Sequence, residues 1–79
     1  MKQHGLTKRQ HETLTFLREY IAKHGYSPTY TEIMEGVGLG GKAGVHRLIY
    51  GLVERGRVTV IKDRARSIAL VDGNGGRAI

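Results

Sequence analysis

The sequence KAGVHRLIYGLVERG at residues 42–56 decides the fold, because its apolar side chains recur at the spacing of one helical face. These side chains are Val45, Leu48, Ile49, Leu52 and Val53. The outer face begins with Ala43 and Arg47, and Lys42 and His46 lie on its flank. A helix with one buried stripe and a small, basic N-terminal half on its other side suits a DNA major groove. We therefore predict a reading helix over residues 42–55.

A longer helix is predicted near the start of the chain. Thr7 and Gln10 have the spacing of a capping box, so this helix should begin at Thr7 and run to about His24, before Gly25. Its apolar stripe consists of Leu14, Leu17 and Ile21, widened by Phe16 and Tyr20. The stripe is most simply part of a core.

A short helix should precede the reading helix. Thr29 and Glu32 form a second capping box, and we expect the helix to end by Gly36. The sequence GVGLGG at residues 36–41 is too rich in glycine to stay helical, which predicts a tight connection. Two helices joined in this way make a helix-turn-helix with the second helix as the reader.

After Gly56 the apolar pattern changes from helical to alternating. Val58 and Val60 alternate with polar residues, and so do Ile68 and Leu70 with small ones, as in two half-buried strands. The basic loop KDRAR at residues 62–66 lies between them. The sequence thus predicts an α+β winged helix-turn-helix domain, with three helices and a two-stranded β-hairpin wing, over residues 1–72. The glycine-rich residues 73–79 should form a flexible tail.

Length and charge limit the possible functions. A chain of 79 residues allows one small domain without a large enclosed active site. Thirteen Lys and Arg residues against seven Asp and Glu give a net charge of +6, which favours an anionic partner such as nucleic acid. The chain contains no apolar run long enough to cross a membrane and no apolar signal core. We expect a soluble, cytoplasmic protein associated with the nucleoid.

Catalytic and metal chemistry find little support in the sequence. The absence of cysteine excludes disulfides and thiolate metal sites. The four histidines have no second histidine or carboxylate at ligand spacing, so no metal or other cofactor is expected. Ser27 and Ser67 form no identifiable pair of nucleophile and base. The sequence therefore predicts a protein that is not an enzyme.

Candidate DNA contacts lie on the reading helix and in the wing. Arg47 is a better candidate for base or phosphate contact than for a solvated surface cation. For His46, contact with DNA and a plain surface position both stay open. In the wing, contact of Lys62, Arg64 and Arg66 with phosphate or the minor groove is favoured over a role in keeping a hairpin edge soluble.

Two further features of the helices have two explanations each. Thr29, Tyr30 and Thr31 begin the second helix, where free N–H groups and a hydroxyl can hold a phosphate, although capping alone explains them equally well. Gly44 and Gly51 each cost roughly 1 kcal/mol relative to alanine inside a helix. Close approach to a phosphate or to a neighbouring helix would offset that cost.

The order of these pieces resembles the DNA-binding domain of the LexA family of repressors. The resemblance covers residues 6–71 and rests on several short segments. They are LTKRQ at residues 6–10, GYSPT at 25–29, EI at 32–33, GL at 38–39, VHR at 45–47 and LVERG at 52–56. Each segment is common by itself, and their combination in this order is what makes the resemblance specific.

The resemblance implies binding to a pseudo-palindromic operator, with the third helix in the major groove and the wing against the backbone and minor groove. By position it places a set of residues in the base-facing half of that helix: Gly41, Ala43, Gly44, His46 and Arg47. Several of them differ from the family's usual serine, asparagine or threonine, so the resemblance does not give the operator sequence.

The family also continues into a self-cleaving serine-lysine peptidase domain that supplies most of the dimerisation. This sequence ends after a short tail, so we expect no self-cleavage. Dimerisation would then depend on the winged helix, on DNA or on a partner.

Two functions from different classes follow. The leading one is a sequence-specific regulator of transcription, a bacterial or phage repressor that binds double-stranded DNA as a homodimer on a two-fold site. The alternative is a winged helix that binds protein, as an anti-repressor or an adaptor for a larger repressor or RNA polymerase. Ala43 and Gly44 on the reading face favour the alternative mildly, whereas the basic wing argues against it.

Overall fold

The computed structural model describes residues 6–61 and 64–71, and within them the chain forms three helices and one hairpin. The helices are α1 (Lys8–His24), α2 (Tyr30–Val37) and α3 (Lys42–Glu54), and the strands are β1 (Val58–Val60) and β2 (Ile68–Leu70). This architecture confirms the predicted winged helix-turn-helix. The tail predicted at residues 73–79 and the candidate residue Lys62 lie outside the described residues.

Both predicted capping boxes are present. At the start of α1 the Oγ1 atom of Thr7 accepts from the N–H of Gln10 at 3.1 Å, and the N–H of Thr7 donates to Oε1 of Gln10 at 3.0 Å. At the start of α2, Thr29 and Glu32 make the same reciprocal pair at 3.1 and 2.9 Å. Each box satisfies two N–H groups that a helix start would otherwise leave without an acceptor.

Helix α2 runs to Val37, so the prediction that it ends by Gly36 was too short. Gly38 is the C-cap: its φ of 81° is left-handed, and its N–H donates to the carbonyl of Met34 at 3.0 Å. Gly36 is part of the helix, and Phe16 of α1 lies against its backbone, where an added Cβ would overlap with the ring. The glycine is needed there for close helix packing.

The core lies between the three helices and one face of the hairpin. Its buried members are Leu14, Leu17, Ile33, Val45, Ile49, Leu52, Val58 and Ile68. Val45, Ile49 and Leu52 are fully buried, which confirms the predicted inner face of α3. Leu48 and Val53 flank that face and are half-buried.

The hairpin joins its strands antiparallel, with Val58 opposite Leu70 and Val60 opposite Ile68. Val58 and Ile68 are buried, whereas Val60 is half-buried and Leu70 is 36% exposed. The predicted alternation is therefore present in β1, where Val60 also packs against the core, whereas in β2 only Ile68 is buried. The described part of the hairpin loop lies close to the start of α2, because Arg66 donates to Ser27 and Glu32.

The two unexplained glycines of α3 have different surroundings. A Cβ on Gly51 would lie 2.6 Å from Nε2 of Gln10, the side chain that caps α1. A Cβ on Gly44 would lie 4.0 Å from the Cδ atoms of Leu39, which is ordinary contact. Packing between helices thus explains why position 51 is a glycine. No contact among the described residues explains the glycine at position 44.

No helix among residues 6–61 and 64–71 is long and apolar enough to cross a membrane.

Candidate nucleic-acid interface

A groove of about 460 Å³ runs between the start of α2, the outer face of α3 and the wing. It brings together many of the residues predicted from the sequence: Thr29, Tyr30, Thr31, Lys42, His46, Arg64 and Arg66. These residues come from three separate segments of the chain. The groove thus combines the N-terminus of α2, with its unpaired N–H groups, and cations from the reading helix and the wing.

The other predicted residues of α3 lie outside the groove. Ala43 and Arg47 are exposed on the helix surface, while Gly41 and Gly44 are half-buried at its start. Gly41 is the N-cap and has no side chain that could accept a cap hydrogen bond. The first N–H groups of α3 therefore remain available as donors. The N-terminal half of α3 therefore offers N–H donors, small side chains and one long cation on its outer side.

An aromatic cluster links the start of α2 to α3. The ring centroids of His46 and Tyr50 are 4.4 Å apart, and the ring of Tyr30 meets His46 edge-on at 6.3 Å. Burial, and then the proximity of Tyr50, raises the pKa of Tyr30. A phenol is protonated at neutral pH and can donate a hydrogen bond. Tyr50 was missing from the predicted site, although its position one helical turn after His46 places the two side chains together.

Arg66 is bound to other residues of the domain, although 40% of its side chain is exposed. Its Nη1 atom donates to Oε1 of Glu32 at 3.0 Å and to the carbonyl of Ser27 at 3.1 Å, while Nη2 donates to Oε2 of Glu32 at 3.1 Å. Its guanidinium carbon also lies 4.8 Å from the centroid of the Tyr26 ring. Arg66 has a φ of 52°, the one left-handed non-glycine residue among those described.

Glu32 is the shared acceptor of this cluster. Its Oε1 atom accepts from the N–H of Thr29, from Arg66 and from the hydroxyl of Tyr20 at 3.0 Å. The Thr29 N–H and then the Arg66 guanidinium lower the pKa of Glu32 from 4.5 to about 2. The carboxylate is thus fixed in its charged form and ties α1, α2 and the wing together.

The remaining cations around the interface differ from Arg66 in their surroundings. Lys42, Arg47 and Arg64 are exposed and have no ion-pair partner among residues 6–61 and 64–71. Their charges are available to an external anion. The same described residues contain no cluster of histidine and acidic side chains that could hold a metal ion.

Comparisons with known proteins agree with this geometry. The chain is 42% identical over 66 residues to the LexA repressor of Novosphingobium aromaticivorans, an alignment that covers 84% of this chain. The chain spans 28% of that repressor's length. A family model described as the LexA DNA binding domain matches residues 3–67. On this match the chain belongs to the family of LexA DNA-binding domains.

Proposed function

We propose that this chain represses transcription by binding a specific double-stranded DNA operator. In this proposal α3 enters the major groove and the wing contacts the backbone and the minor groove. The main observation that supports this proposal is that the start of α2, the outer side of α3 and Arg64 of the wing all line one groove. Membership of a DNA-binding family and the net charge of +6 support the same conclusion.

The phosphate contacts follow from the groove. Tyr30 and Thr31 present N–H groups at the start of α2, and both of them and Thr29 present hydroxyls. Lys42 and Arg64 add positive charge around this point. A phosphate at this point would meet both a helix N-terminus and exposed cations. These contacts position the protein and carry little sequence information.

Base reading is assigned to the N-terminal half of α3. Arg47 is exposed and can form two hydrogen bonds to the edge of a guanine. Gly41, Ala43 and Gly44 add little bulk, so the helix backbone can come close to the base edges. The ring of His46 packs against that of Tyr50 at an angle of 37°, at the rim of the same face.

A single small domain makes few contacts, so two copies on a two-fold site are the expected arrangement. Such a repressor would act in the cytoplasm on nucleoid DNA. Dimer contacts can come from the wings on the operator or from a partner.

The proposal is tested by selection from a pool of random duplexes, followed by titration of the selected sequence and a scrambled one at several salt concentrations. We expect a palindromic motif, an affinity for it at least 1000-fold above that for scrambled DNA, and a steep loss of affinity with salt. Equal, weak binding to all duplexes would contradict operator recognition. A complex with an acidic protein that survives moderate salt would instead support the protein-binding alternative.

A further inference from the structure

The two capping boxes of this chain use different side chains for the same task. Oε1 of Gln10 accepts from the N-cap N–H of α1 at 3.0 Å, and Oε1 of Glu32 does so in α2 at 2.9 Å. The first box shows that an uncharged amide completes the reciprocal pair. Capping alone therefore does not require the negative charge of Glu32.

The charge of Glu32 is paired with that of Arg66. The two carboxylate oxygens of Glu32 accept from the two Nη atoms of Arg66 at 3.0 and 3.1 Å, a bidentate pair that only a carboxylate can form. The pair joins the wing to the first turn of α2, where the proposed phosphate contacts lie.

The segment before α2 is tied to the wing at two more points. Arg66 donates to the carbonyl of Ser27, and the N–H of Ile68 donates to the buried Oγ of Ser27 at 3.3 Å. The exposed ring of Tyr26 lies beneath the guanidinium. Arg66 adopts its left-handed backbone while making all of these contacts, which indicates that the surrounding structure imposes this conformation.

We propose that Arg66 is a positioning residue: through Glu32 it locks the wing against the start of α2, and Arg64 rather than Arg66 contacts the DNA backbone. This inference rests on the proposed DNA-binding function. Three of the five guanidinium N–H groups of Arg66 already donate to Glu32 and Ser27, which leaves Nε and one N–H of Nη2 for any phosphate. A phosphate contact through Nη1 would require the guanidinium to leave Glu32 and would leave the Ser27 carbonyl without this donor.

The two roles predict opposite effects for Glu32→Gln. If Arg66 contacts phosphate, removal of a negative charge beside the DNA should raise the affinity. If Arg66 positions the wing, the same change should weaken binding, because the amide keeps the cap of α2 but cannot hold the guanidinium through both oxygens. The capping role of Gln10 shows that this variant should retain the helix start.

The experiment measures affinity for the selected duplex across salt for the wild-type chain and for Glu32→Gln, Arg66→Gln, the double variant and Arg64→Gln. We expect each change at Glu32 or Arg66 to weaken binding by on the order of tenfold, and the double variant to be no weaker than either single one. The salt slope of these variants should equal that of the wild-type protein. Arg64→Gln should instead lower the slope by about 0.9, the value for one lost phosphate contact.

Two further measurements keep the test decisive. Hydrogen exchange of the Ile68 amide should be at least several-fold faster in Arg66→Gln and Glu32→Gln, because the wing opens more often. Arg66→Lys keeps the charge but not the bidentate geometry, so it should weaken binding nearly as much as Arg66→Gln. This variant also serves if Arg66→Gln does not fold.

An unchanged or higher affinity of Glu32→Gln, or a slope lowered by about 0.9 in Arg66→Gln, would overturn the inference. So would unchanged exchange at Ile68. If the wild-type chain binds no duplex specifically, the proposed function fails, and the exchange rates alone still decide whether Arg66 holds the wing.

Discussion

The ring of Phe16 in α1 occupies the space that a Cβ on Gly36 in α2 would need. In most helices, replacement of an interior glycine by alanine stabilises the protein by about 1 kcal/mol. Here the new methyl group would displace a ring that packs against the core. We expect Gly36→Ala to lower the free energy of unfolding by about 1–2 kcal/mol, because overpacking outweighs the gain in helix propensity.

Urea denaturation measures this change. In a Phe16→Leu background the smaller side chain leaves room for the methyl group, so the same substitution should cost much less there. Equal costs in the two backgrounds would show that Phe16 is not the obstacle.

Gly44 should respond in the opposite way. Its Cβ would make only ordinary contact with Leu39, so Gly44→Ala should raise the free energy of unfolding by about 0.5–1 kcal/mol. If this face of α3 approaches DNA closely, the same methyl group should weaken operator binding several-fold. A rise in both stability and affinity would place Gly44 away from the DNA.

The features that the sequence predicted correctly are local ones. Capping residues lie three positions apart and the apolar stripe of α3 repeats within two turns, so both can be read from neighbouring residues. The aromatic pair of His46 and Tyr50 is local in the same sense. The predicted site omitted Tyr50, although its spacing of four residues from His46 is enough to place the two rings together.

The features that were missed depend on residues distant in the chain. Arg66 and Glu32 are 34 positions apart, and only the return of the wing to α2 brings them together. From the sequence, Arg66 is one of several wing cations with nothing to distinguish it from Arg64. Gly36 was likewise read as a helix breaker because its contact with Phe16 depends on how α1 and α2 cross.

Arg47 is the exposed cation on which the proposed base reading depends most. Replacement by glutamine should cost about 1–3 kcal/mol of binding, or roughly 5- to 150-fold in affinity, and should relax the preference at one base pair. Binding to a panel of operators with single substitutions measures both effects. Arg18→Gln removes the same charge from the surface of α1, outside the proposed contacts, and should change affinity little.

A uniform loss of affinity across the panel, with the salt slope lowered by about 0.9, would instead indicate that Arg47 contacts a phosphate.

The cluster around Glu32 should make stability depend on pH below the physiological range. Its pKa is about 2 in the folded protein and 4.5 when unperturbed. Between these values the unfolded chain binds a proton at Glu32 that the folded chain does not, so stability falls as the pH falls through this window. Above it the contribution is constant.

Urea denaturation from pH 7 down to about pH 2.5 tests the effect by comparing the wild-type chain with two variants. Glu32→Gln removes the titrating group, so its stability should fall less steeply below pH 4.5. Arg66→Gln removes only the second cause of the low pKa and leaves the Thr29 N–H, so its curve should lie between the other two. Parallel curves for all three proteins would mean that Glu32 gains no net stabilisation from these partners.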